Sequence, residues 1–273
     1  MFTKLLKHEF KNTAGLLSIL CACILGVGAL AGVSLRIIIE AANRVEDSDI
    51  FALASIPAAM FLFVAYLSVI ILFAAIPLVL YYRFYKTRFT DEGYLTFTLP
   101  VKTSSIFLSS AVNTLIWEVI GGCAVLLAVL LLVIIGIPAW AIADLPEDFF
   151  SYFFEDIFYS LPLPSMITAV LTVAVGCVNG IVVSMSSVVL GASIAKKHKL
   201  LAAIGISYGV SMVNSVISGI LSTVMQLALA ASFTNIELML TLSGCISLLL
   251  PVLLIIGGYI LSIHLMKHKL NLP

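Results

Sequence analysis

The stretch VIGGCAVLLAVLLLVIIGIP, residues 119–138, decides the fold class. It contains 20 residues and no charged side chain, and about 20 apolar residues suffice for an α-helix to cross the hydrocarbon core of a bilayer. The whole chain is similar, since 62% of its 273 residues are apolar, 10% are charged and the mean hydropathy is +1.20. Soluble domains average about 45–50% apolar and 25% charged residues. The sequence therefore predicts an all-α integral membrane protein.

Five further apolar runs accompany this one, so the sequence predicts six transmembrane helices. Several runs exceed the minimum length, which allows a helix to tilt or to extend beyond the bilayer. Six spans leave little chain for a soluble domain, and we expect a single transmembrane domain over residues 1–273. The predicted spans are residues 14–35, 54–80, 106–138, 165–195, 200–231 and 238–264.

The charges are distributed unevenly along the chain, although the net charge is zero. Short loops rich in lysine and arginine remain on the cytoplasmic side of a membrane. We therefore expect both termini to be cytoplasmic and the acidic first-to-second and third-to-fourth connections to lie outside. An even number of spans requires the termini to share one side. Twelve of the 14 basic residues fall in the inner segments: Lys4, Lys7, Lys11, Arg83, Lys86, Arg88, Lys102, Lys196, Lys197, Lys199, Lys267 and Lys269.

The N-terminal segment FTKLLKHEFK, residues 2–11, is amphipathic at helical spacing. Its lysines share one face, while Phe2, Leu5 and Phe10 share the other, so the pattern predicts a helix in the inner membrane interface. Glu9 projects into the apolar face. It is either a tolerated carboxylate or the partner of a basic residue in a cytoplasmic loop.

Small residues recur every fourth position in the spans, a pattern that lets helix backbones approach closely in lipid. We expect these faces to serve packing within the chain. The five cysteines are interpreted as small buried hydrophobic residues, because their number is odd and their spacing matches neither a redox pair nor a zinc site. The small residues are Gly28 and Gly32, then Gly176, Gly180 and Ser184, then Gly205 and Gly209, then Ser211, Ser215 and Gly219.

The outer connection, residues 144–164, mixes acidic residues with seven phenylalanine and tyrosine side chains. Aromatic side chains are enriched at the headgroup level of a bilayer. The composition predicts a short interfacial helix that anchors the chain, and a gating role is the alternative.

Motifs of nucleotide-binding and zinc-protease centres are absent, since the chain has no GxxxxGK[ST] and no HExxH. The letters GISYG (205–209) fit GxSxG, but they lie inside the predicted fifth span and not at a strand-to-helix turn, which that motif requires. We therefore expect no catalytic residue, no metal site, no cofactor bound by this chain and no nucleic-acid partner.

Polar residues within the spans are the remaining candidates. Glu118 precedes the quoted stretch and follows Trp117, which we interpret as an interface residue. Glu118 would then lie near the inner boundary, with the Ser and Asn residues upstream extending into the cytoplasmic zone; a proton relay is the alternative. The polar residues Asn179, Asn214 and Gln226 either form hydrogen bonds between helices or line a polar translocation path.

The second-to-third connection, YKTRFTDEGYLTFTLPVK (residues 85–102), is charged and lies between two apolar runs. Thr90, Asp91 and Glu92 can start a short helix, and Pro100 ends it at Leu99. A short, partly apolar helix on the cytoplasmic side is typical of a docking element for another protein.

The segment DEGYLTFTLPV (91–101), together with LLKHEF (5–10), resembles the permease subunits of bacterial type-2 ABC exporters. The resemblance implies that six spans form half of a transporter and that the first cytoplasmic loop is a coupling helix contacting a separate ATPase subunit, which holds ATP and Mg²⁺. It also implies an elbow helix with Lys7, Glu9 and Phe10, and a second permease subunit, identical or different. The fifth-to-sixth connection, 232–237, is shorter than in many relatives, which carry a re-entrant element there. The implied ATPase contacts are Asp91, Glu92, Gly93, Tyr94, Leu95, Leu99 and Pro100.

Three functions are therefore compatible with the sequence. The first is an ATP-driven exporter subunit in the plasma membrane, whose substrate the sequence does not specify. The second is an ion- or proton-coupled secondary transporter using Glu118 or Glu9. The third is a membrane immunity or scaffold protein that transports nothing.

The charge asymmetry predicts the sidedness of two loops. In a cysteine-free background, Ser48→Cys should react with an impermeant thiol reagent in intact cells, and Lys197→Cys only after permeabilisation. The reverse labelling pattern would invert the topology, and equal labelling would remove its basis.

Overall fold

A computed structural model of the chain describes residues 2–44, 48–90, 93, 102–140, 163–194, 199–232 and 236–268. The regular elements among these residues are seven α-helices. In chain order they are α1 (Phe2–Arg44), α2 (Ser48–Phe89), α3 (Thr103–Gly136), α4 (Leu163–Ile194), α5 (Lys199–Ser232), α6 (Ile236–Ser247) and α7 (Leu249–His268).

Six candidate spans follow from these helices, which confirms the predicted number. The helical state follows from the solvent, because a backbone amide in hydrocarbon must find its partner inside its own segment. Helices α1 and α2 contain 43 and 42 residues. At about 1.5 Å per residue each is more than twice as long as the hydrocarbon core is thick. Both therefore extend well beyond the bilayer.

The N-terminal segment is not a separate element. Residues 2–11 form the first turns of α1, which continues without interruption to Arg44. Residues 2–14 include neither glycine nor proline, so the sequence provides no break before the first span. The predicted amphipathic helix exists, but it is continuous with the transmembrane helix.

The sixth span is broken at Leu248, between α6 and α7. Pro251 explains the break, because a proline ring clashes with the carbonyl group four residues earlier, here that of Ser247. Two turn-type hydrogen bonds bridge the interruption: the Leu248 N–H donates to the Cys245 carbonyl at 3.3 Å, and the Val252 N–H donates to the Leu248 carbonyl at 3.2 Å. Helix α7 continues through the Gly257–Gly258 pair.

The chain divides into two compact units. Unit 2 comprises Lys7–Leu80 and Ile116–Phe149, and its core joins α1, α2 and α3. A Cβ atom added at Gly28 would lie 2.6 Å from the Cβ of Ala128 and 2.8 Å from its backbone, and one added at Gly32 would lie 2.9 Å from the Cβ of Ile135. The predicted Gly28–Gly32 face is thus confirmed as the contact of α1 with α3. The buried core residues are Leu17, Ile24, Ile76, Leu80, Trp117, Ala124 and Ala128.

Unit 1 comprises Met1–Leu6, Tyr81–Leu115 and Phe150–Pro273. Helix α4 is its central element, because α5, α6 and α7 all pack against it. Gly191 permits the closest approach of α4 to α5, since a Cβ atom there would lie 2.6 Å from the Ala203 nitrogen. The buried core combines Phe84, Phe89, Ile106, Phe107, Ile181, Val182, Met185, Val188, Val189, Ala203, Leu265 and Met266.

Two expectations about small residues are wrong. The glycines at positions 176, 180, 205, 209 and 219 have no atom of the described residues within 4 Å of an added Cβ, so they bring no two of the described helices together. None of the five cysteines is buried: Cys21 is partly exposed and the other four are exposed. In lipid an exposed apolar side chain carries no solvation penalty, so a small apolar residue on a membrane helix need not be buried in protein.

The close contact of Gly28 with α3 predicts that a larger side chain at this position destabilises the protein. Gly28→Val would push a branched side chain into the backbone of α3, whereas Gly26→Val, two residues away, meets no atom within 4 Å. We expect Gly28→Val to destabilise the purified protein by about 1–3 kcal/mol, the usual cost of overpacking. Size-exclusion chromatography after stepwise heating measures the loss, and equal melting of the two variants would contradict the packing of α1 on α3.

Candidate functional site

The second-to-third connection is the candidate site, and the structure describes its two ends. Six of the predicted ATPase contacts, Asp91, Glu92, Tyr94, Leu95, Leu99 and Pro100, lie outside the described residues. The seventh, Gly93, is buried, and its N–H donates to the Thr90 carbonyl at 2.7 Å. The predicted helix over 91–99 remains a prediction.

Aromatic rings hold the two ends of the connection together. The Phe84 ring, in the last turns of α2, meets the Phe89 ring edge to face with centroids 5.8 Å apart, and it meets the Phe107 ring of α3 at 6.2 Å. The Tyr85 ring stacks on Phe89 at 6.3 Å. Edge-to-face and stacked pairs at these distances are favourable geometries for aromatic rings.

Phe107 also contacts the last span. Its ring meets Tyr259 of α7 at 5.9 Å and 66°, and its side chain is only 1% exposed. We call the five rings Phe84, Tyr85, Phe89, Phe107 and Tyr259 the aromatic junction. It joins the end of α2, the start of α3 and the middle of α7.

The aromatic junction belongs to the core of unit 1. Met185, Val188 and Val189 of α4 are part of the same buried cluster, and Leu5 from the first turn of α1 packs against it. Both ends of the connection are thereby packed against α4, α7 and the N-terminal turn.

Basic side chains collect at this end of unit 1. They lie on helical turns next to members of the core: Lys4 beside Leu5, Arg83 and Lys86 beside Phe84, Arg88 beside Phe89, and Lys267 beside Met266. Lys4, Lys86 and Lys267 are exposed, whereas Arg88 is buried. Cations that are far apart in sequence are thus brought to one end of the same unit.

The predicted elbow residues separate into two groups. Lys7 is exposed, whereas Phe10 packs into the core of unit 2, where its ring stacks on Trp117 with centroids 5.1 Å apart. The Trp117 Nε1–H donates to Thr13 Oγ1 at 3.1 Å. Glu9 is partly buried, and its backbone carbonyl accepts a hydrogen bond from the Thr13 hydroxyl at 3.1 Å. The apolar face of the segment therefore packs partly against protein.

The interpretation of Trp117 as an interface residue is wrong. Its indole is 4% exposed and fills the core of unit 2. Trp117 therefore does not support a position of Glu118 near the inner membrane boundary. Glu118 is partly buried, and no hydrogen bond or ion pair joins its carboxylate to another described residue.

Polar side chains are buried inside unit 1. Asn179 is 7% exposed, and its Oδ1 atom has no hydrogen-bond partner among the described residues. The Oδ1 of Asn214 is likewise buried and unpartnered, while the side chain of Gln226 lies outside the described ones. A buried amide without a partner costs about 1–3 kcal/mol, so these groups require an explanation. Among the described residues, no hydrogen bond between helices satisfies the Oδ1 atoms of Asn179 and Asn214.

The sequence reasoning missed a buried polar stripe on α3. Asn113 is 3% exposed, and its Oδ1 has no hydrogen-bond partner among the described residues; its position in the cytoplasmic zone remains a prediction. The sequence did contain a signal for this stripe, namely the spacing i, i+1, i+4 and i+5. This spacing places four polar residues on one helical face: Ser109, Ser110, Asn113 and Thr114. Thr114 satisfies its hydroxyl within the helix, donating to the Ser110 carbonyl at 2.9 Å.

The described residues contain no group of three or more His, Cys, Asp or Glu side chains that could hold a metal ion.

Comparison with known proteins reveals no relative: no family model, no curated protein and no solved structure matches the chain.

Removal of a ring from the aromatic junction should destabilise the protein. Phe107→Ala should lower the free energy of unfolding by about 3–5 kcal/mol, because it removes ring contacts with both Phe84 and Tyr259. Leu108→Ala, at the adjacent position, is the control, since Leu108 is 45% exposed. Thermal denaturation of both purified variants in one detergent tests this, and a comparable loss in both would show that the junction is not a stabilising element.

Proposed function

We propose that this chain is the membrane-spanning subunit of an ATP-driven ABC exporter. It would pair with a second permease subunit, identical or different, and dock a separate ATPase subunit on residues 85–102. The observation that carries the proposal is the aromatic junction, because it packs both ends of a charged connection against α4 and α7 of a membrane protein. A connection that only linked two spans would not need this attachment.

The orientation follows from the charges. The basic residues at the junction end of unit 1 favour the cytoplasmic side under the positive-inside rule. Residues 85–102 would then face the compartment that contains ATP. Both termini would be cytoplasmic and the membrane would be the plasma membrane.

The proposed mechanism is mechanical. ATP and Mg²⁺ belong to the partner subunit, and this chain hydrolyses nothing. Movement of the ATPase would displace the connection, and the edge-to-face contacts of Phe107 with Phe84 and Tyr259 would transmit the displacement to α7. Packed cores respond to such displacements by switching between discrete arrangements rather than by deforming continuously.

The buried amides of unit 1 suit a role in the substrate path. Asn113 and Asn179 each present an unpartnered carbonyl oxygen in the interior of a membrane unit. Such an oxygen can accept a hydrogen bond from a passing substrate at little cost, since no internal hydrogen bond has to break. The substrate itself is not identified by these groups.

Glu118 supports a second candidate, an ion-coupled secondary transporter. An intramembrane carboxylate without a partner among the described residues is typical of a proton or cation relay. The two candidates differ in their energy source, so the requirement for ATP distinguishes them. A third candidate, a non-transporting immunity or scaffold protein, would show neither ATP dependence nor ion coupling.

Leu95 provides the test of ATPase docking. Leu95→Asp would place a carboxylate where the proposal expects an apolar anchor, at a cost of several kcal/mol if the charge is buried unpaired. The protein should still fold, because the aromatic junction is unchanged. We expect normal expression with loss of the copurifying ATPase, or ATP hydrolysis without transport.

Lys102→Ala is the matched control, because Lys102 is exposed at the far end of the same connection. It should have a milder effect on both association and transport. Mass spectrometry of the complex isolated in mild detergent identifies the ATPase. If the Leu95→Asp variant associated with the ATPase and transported as well as the wild type, residues 85–102 would be only a connector. The exporter proposal would then lose its main support.

A further inference from the structure

The sixth span is interrupted near its middle. Pro251 lies about midway between Ile236, where α6 begins, and His268, where α7 ends. Because proline has no N–H, the Ser247 carbonyl lacks the amide donor that an uninterrupted helix would supply. Helix α6 ends at Ser247, and the C-terminal end of a helix carries a partial negative charge. The interruption thus leaves an oxygen acceptor and a negative potential inside the span.

Asn179 of α4 lies at the level of this interruption. Helix α7 packs on α4 through Gly258, since a Cβ atom there would lie 3.1 Å from Val182 Cγ1 and 3.4 Å from Ser186 Oγ. Asn179 comes about two helical turns before Ser186, on the same face of α4. Pro251 likewise comes about two turns before Gly258. Since the fourth and sixth spans cross in the same direction, the two residues lie at one level.

Asn214 of α5 reaches this level from a neighbouring helix. The Ser207 hydroxyl donates to Ser184 Oγ of α4 at 3.4 Å. Asn214 follows Ser207 by about two turns and shares its face, so it also faces α4. It lines a cavity of about 240 Å³ together with Leu250 and Leu254, which lie on either side of the proline of α7. Asn214 is therefore beside the interruption as well.

The two amides present acceptors that nothing in the described part of the chain satisfies. The Oδ1 atoms of Asn179 and Asn214 are both buried and have no hydrogen-bond partner among the described residues. Together with the Ser247 carbonyl, three oxygen atoms from α4, α5 and α6 thus collect around one level of unit 1. Each unpartnered buried acceptor costs about 1–3 kcal/mol, so an occupant that satisfies all of them would stabilise the fold.

A second, smaller cavity continues the polar lining past the interruption. Its volume is about 20 Å³, and it shares Leu250 with the first cavity. The hydroxyls of Ser222 and Ser247 donate to carbonyls of their own helices at 2.9 and 2.7 Å, which leaves their oxygen lone pairs for another partner. The serines that line it are Ser218, Ser222, Ser243 and Ser247.

We propose that a sodium ion binds at this level, held by the Oδ1 atoms of Asn179 and Asn214 and by the Ser247 carbonyl. A single water molecule has two protons and would leave one of the three acceptors without a partner, whereas a cation attracts all three. The partial negative charge at the end of α6 adds to this attraction. Interrupted transmembrane helices bind cations through freed carbonyls and helix C-terminal ends of this kind.

The charge and size of the site favour a small monovalent ion. The three proposed ligands are neutral, whereas Ca²⁺ and Mg²⁺ bind through carboxylates. The cavity of about 20 Å³ beside the interruption has space for about one water molecule, which suits Na⁺ better than the larger K⁺. The site shares Asn179 with the proposed substrate path, but it does not depend on residues 85–102 or on coupling to an ATPase.

Thermal denaturation of the purified full chain in one detergent tests the proposal. Melting is followed at increasing concentrations of NaCl, and choline chloride keeps the ionic strength constant. A ligand that binds only the folded state raises the melting temperature in a saturable manner. We expect this response with Na⁺, and we expect K⁺ to require a concentration about tenfold higher for the same stabilisation.

Three variants remove the proposed ligands one at a time. Asn179→Leu and Asn214→Leu should each raise the Na⁺ concentration for half-maximal stabilisation about tenfold or more. Their stability in choline chloride should not fall, because each loses an unpartnered buried oxygen. Pro251→Ala should weaken the response to Na⁺ similarly, because the restored N–H can donate to the Ser247 carbonyl.

Ser262→Ala is the matched control and should respond to Na⁺ as the wild type does. Ser262 is fully buried on the same helix α7, but its hydroxyl donates to the Gly258 carbonyl at 2.7 Å. It lies about three turns beyond Pro251, away from the proposed ligands.

Equal stabilisation of the wild type by Na⁺ and choline overturns the proposal and assigns the polar level to water. A wild-type response in any folded ligand variant overturns it too, and Pro251→Ala decides the question if neither asparagine variant folds. So does an equal loss of response in Ser262→Ala, which would make the loss a general effect of altered packing. Since none of these measurements involves transport or an ATPase, their outcome is separate from that of the exporter proposal.

Discussion

Inside a bilayer a backbone amide has no water to bond with, and this constraint shapes every described element of the chain. It makes α1 to α7 helical and limits where a helix can be interrupted. The break at Leu248 is tolerated because neighbouring N–H groups find carbonyl partners within the same span. Once the helices exist, however, the hydrophobic effect no longer distinguishes one apolar face from another, since lipid tails are as apolar as leucine. Specific packing must then come from shape and from a few polar groups.

The close packing of helices depends on the positions of individual glycines and not on the number of glycines in a helix. Gly28, Gly191 and Gly258 bring helices together, because another helix lies where their Cβ atoms would be. Gly209 and Gly257 have the opposite effect and leave space unfilled. Unit 1 consequently contains both a close contact, between α7 and α4, and cavities beside it. The same residue type thus closes the packing in one place and leaves it open in another.

Polar and aromatic groups give unit 1 its asymmetry. Aromatic rings and most of the largest buried apolar side chains collect around the ends of the second-to-third connection, together with the basic residues. Asn113 and Asn179 instead lie buried, and their carbonyl oxygens have no hydrogen-bond partner within the described part of the chain. One end of unit 1 is therefore well packed, whereas the buried amides are held at an energetic cost.

The sequence by itself determined the membrane class, the number of spans and the uneven distribution of charge, because each depends on the composition of a continuous segment. It also identified Gly28 and Gly32 as a packing face. Only the tertiary structure decided which partner each residue meets. Trp117 is buried because Phe10 and Thr13 lie against it, not exposed at an interface. Gly176 and Gly209 have the same small-residue spacing as Gly28, yet neither contacts another helix closely. Asn113 is buried although its side chain is polar. Helical spacing specifies which residues share a face, but in lipid every apolar face is equally well solvated, so the choice of partner depends on contacts between distant segments.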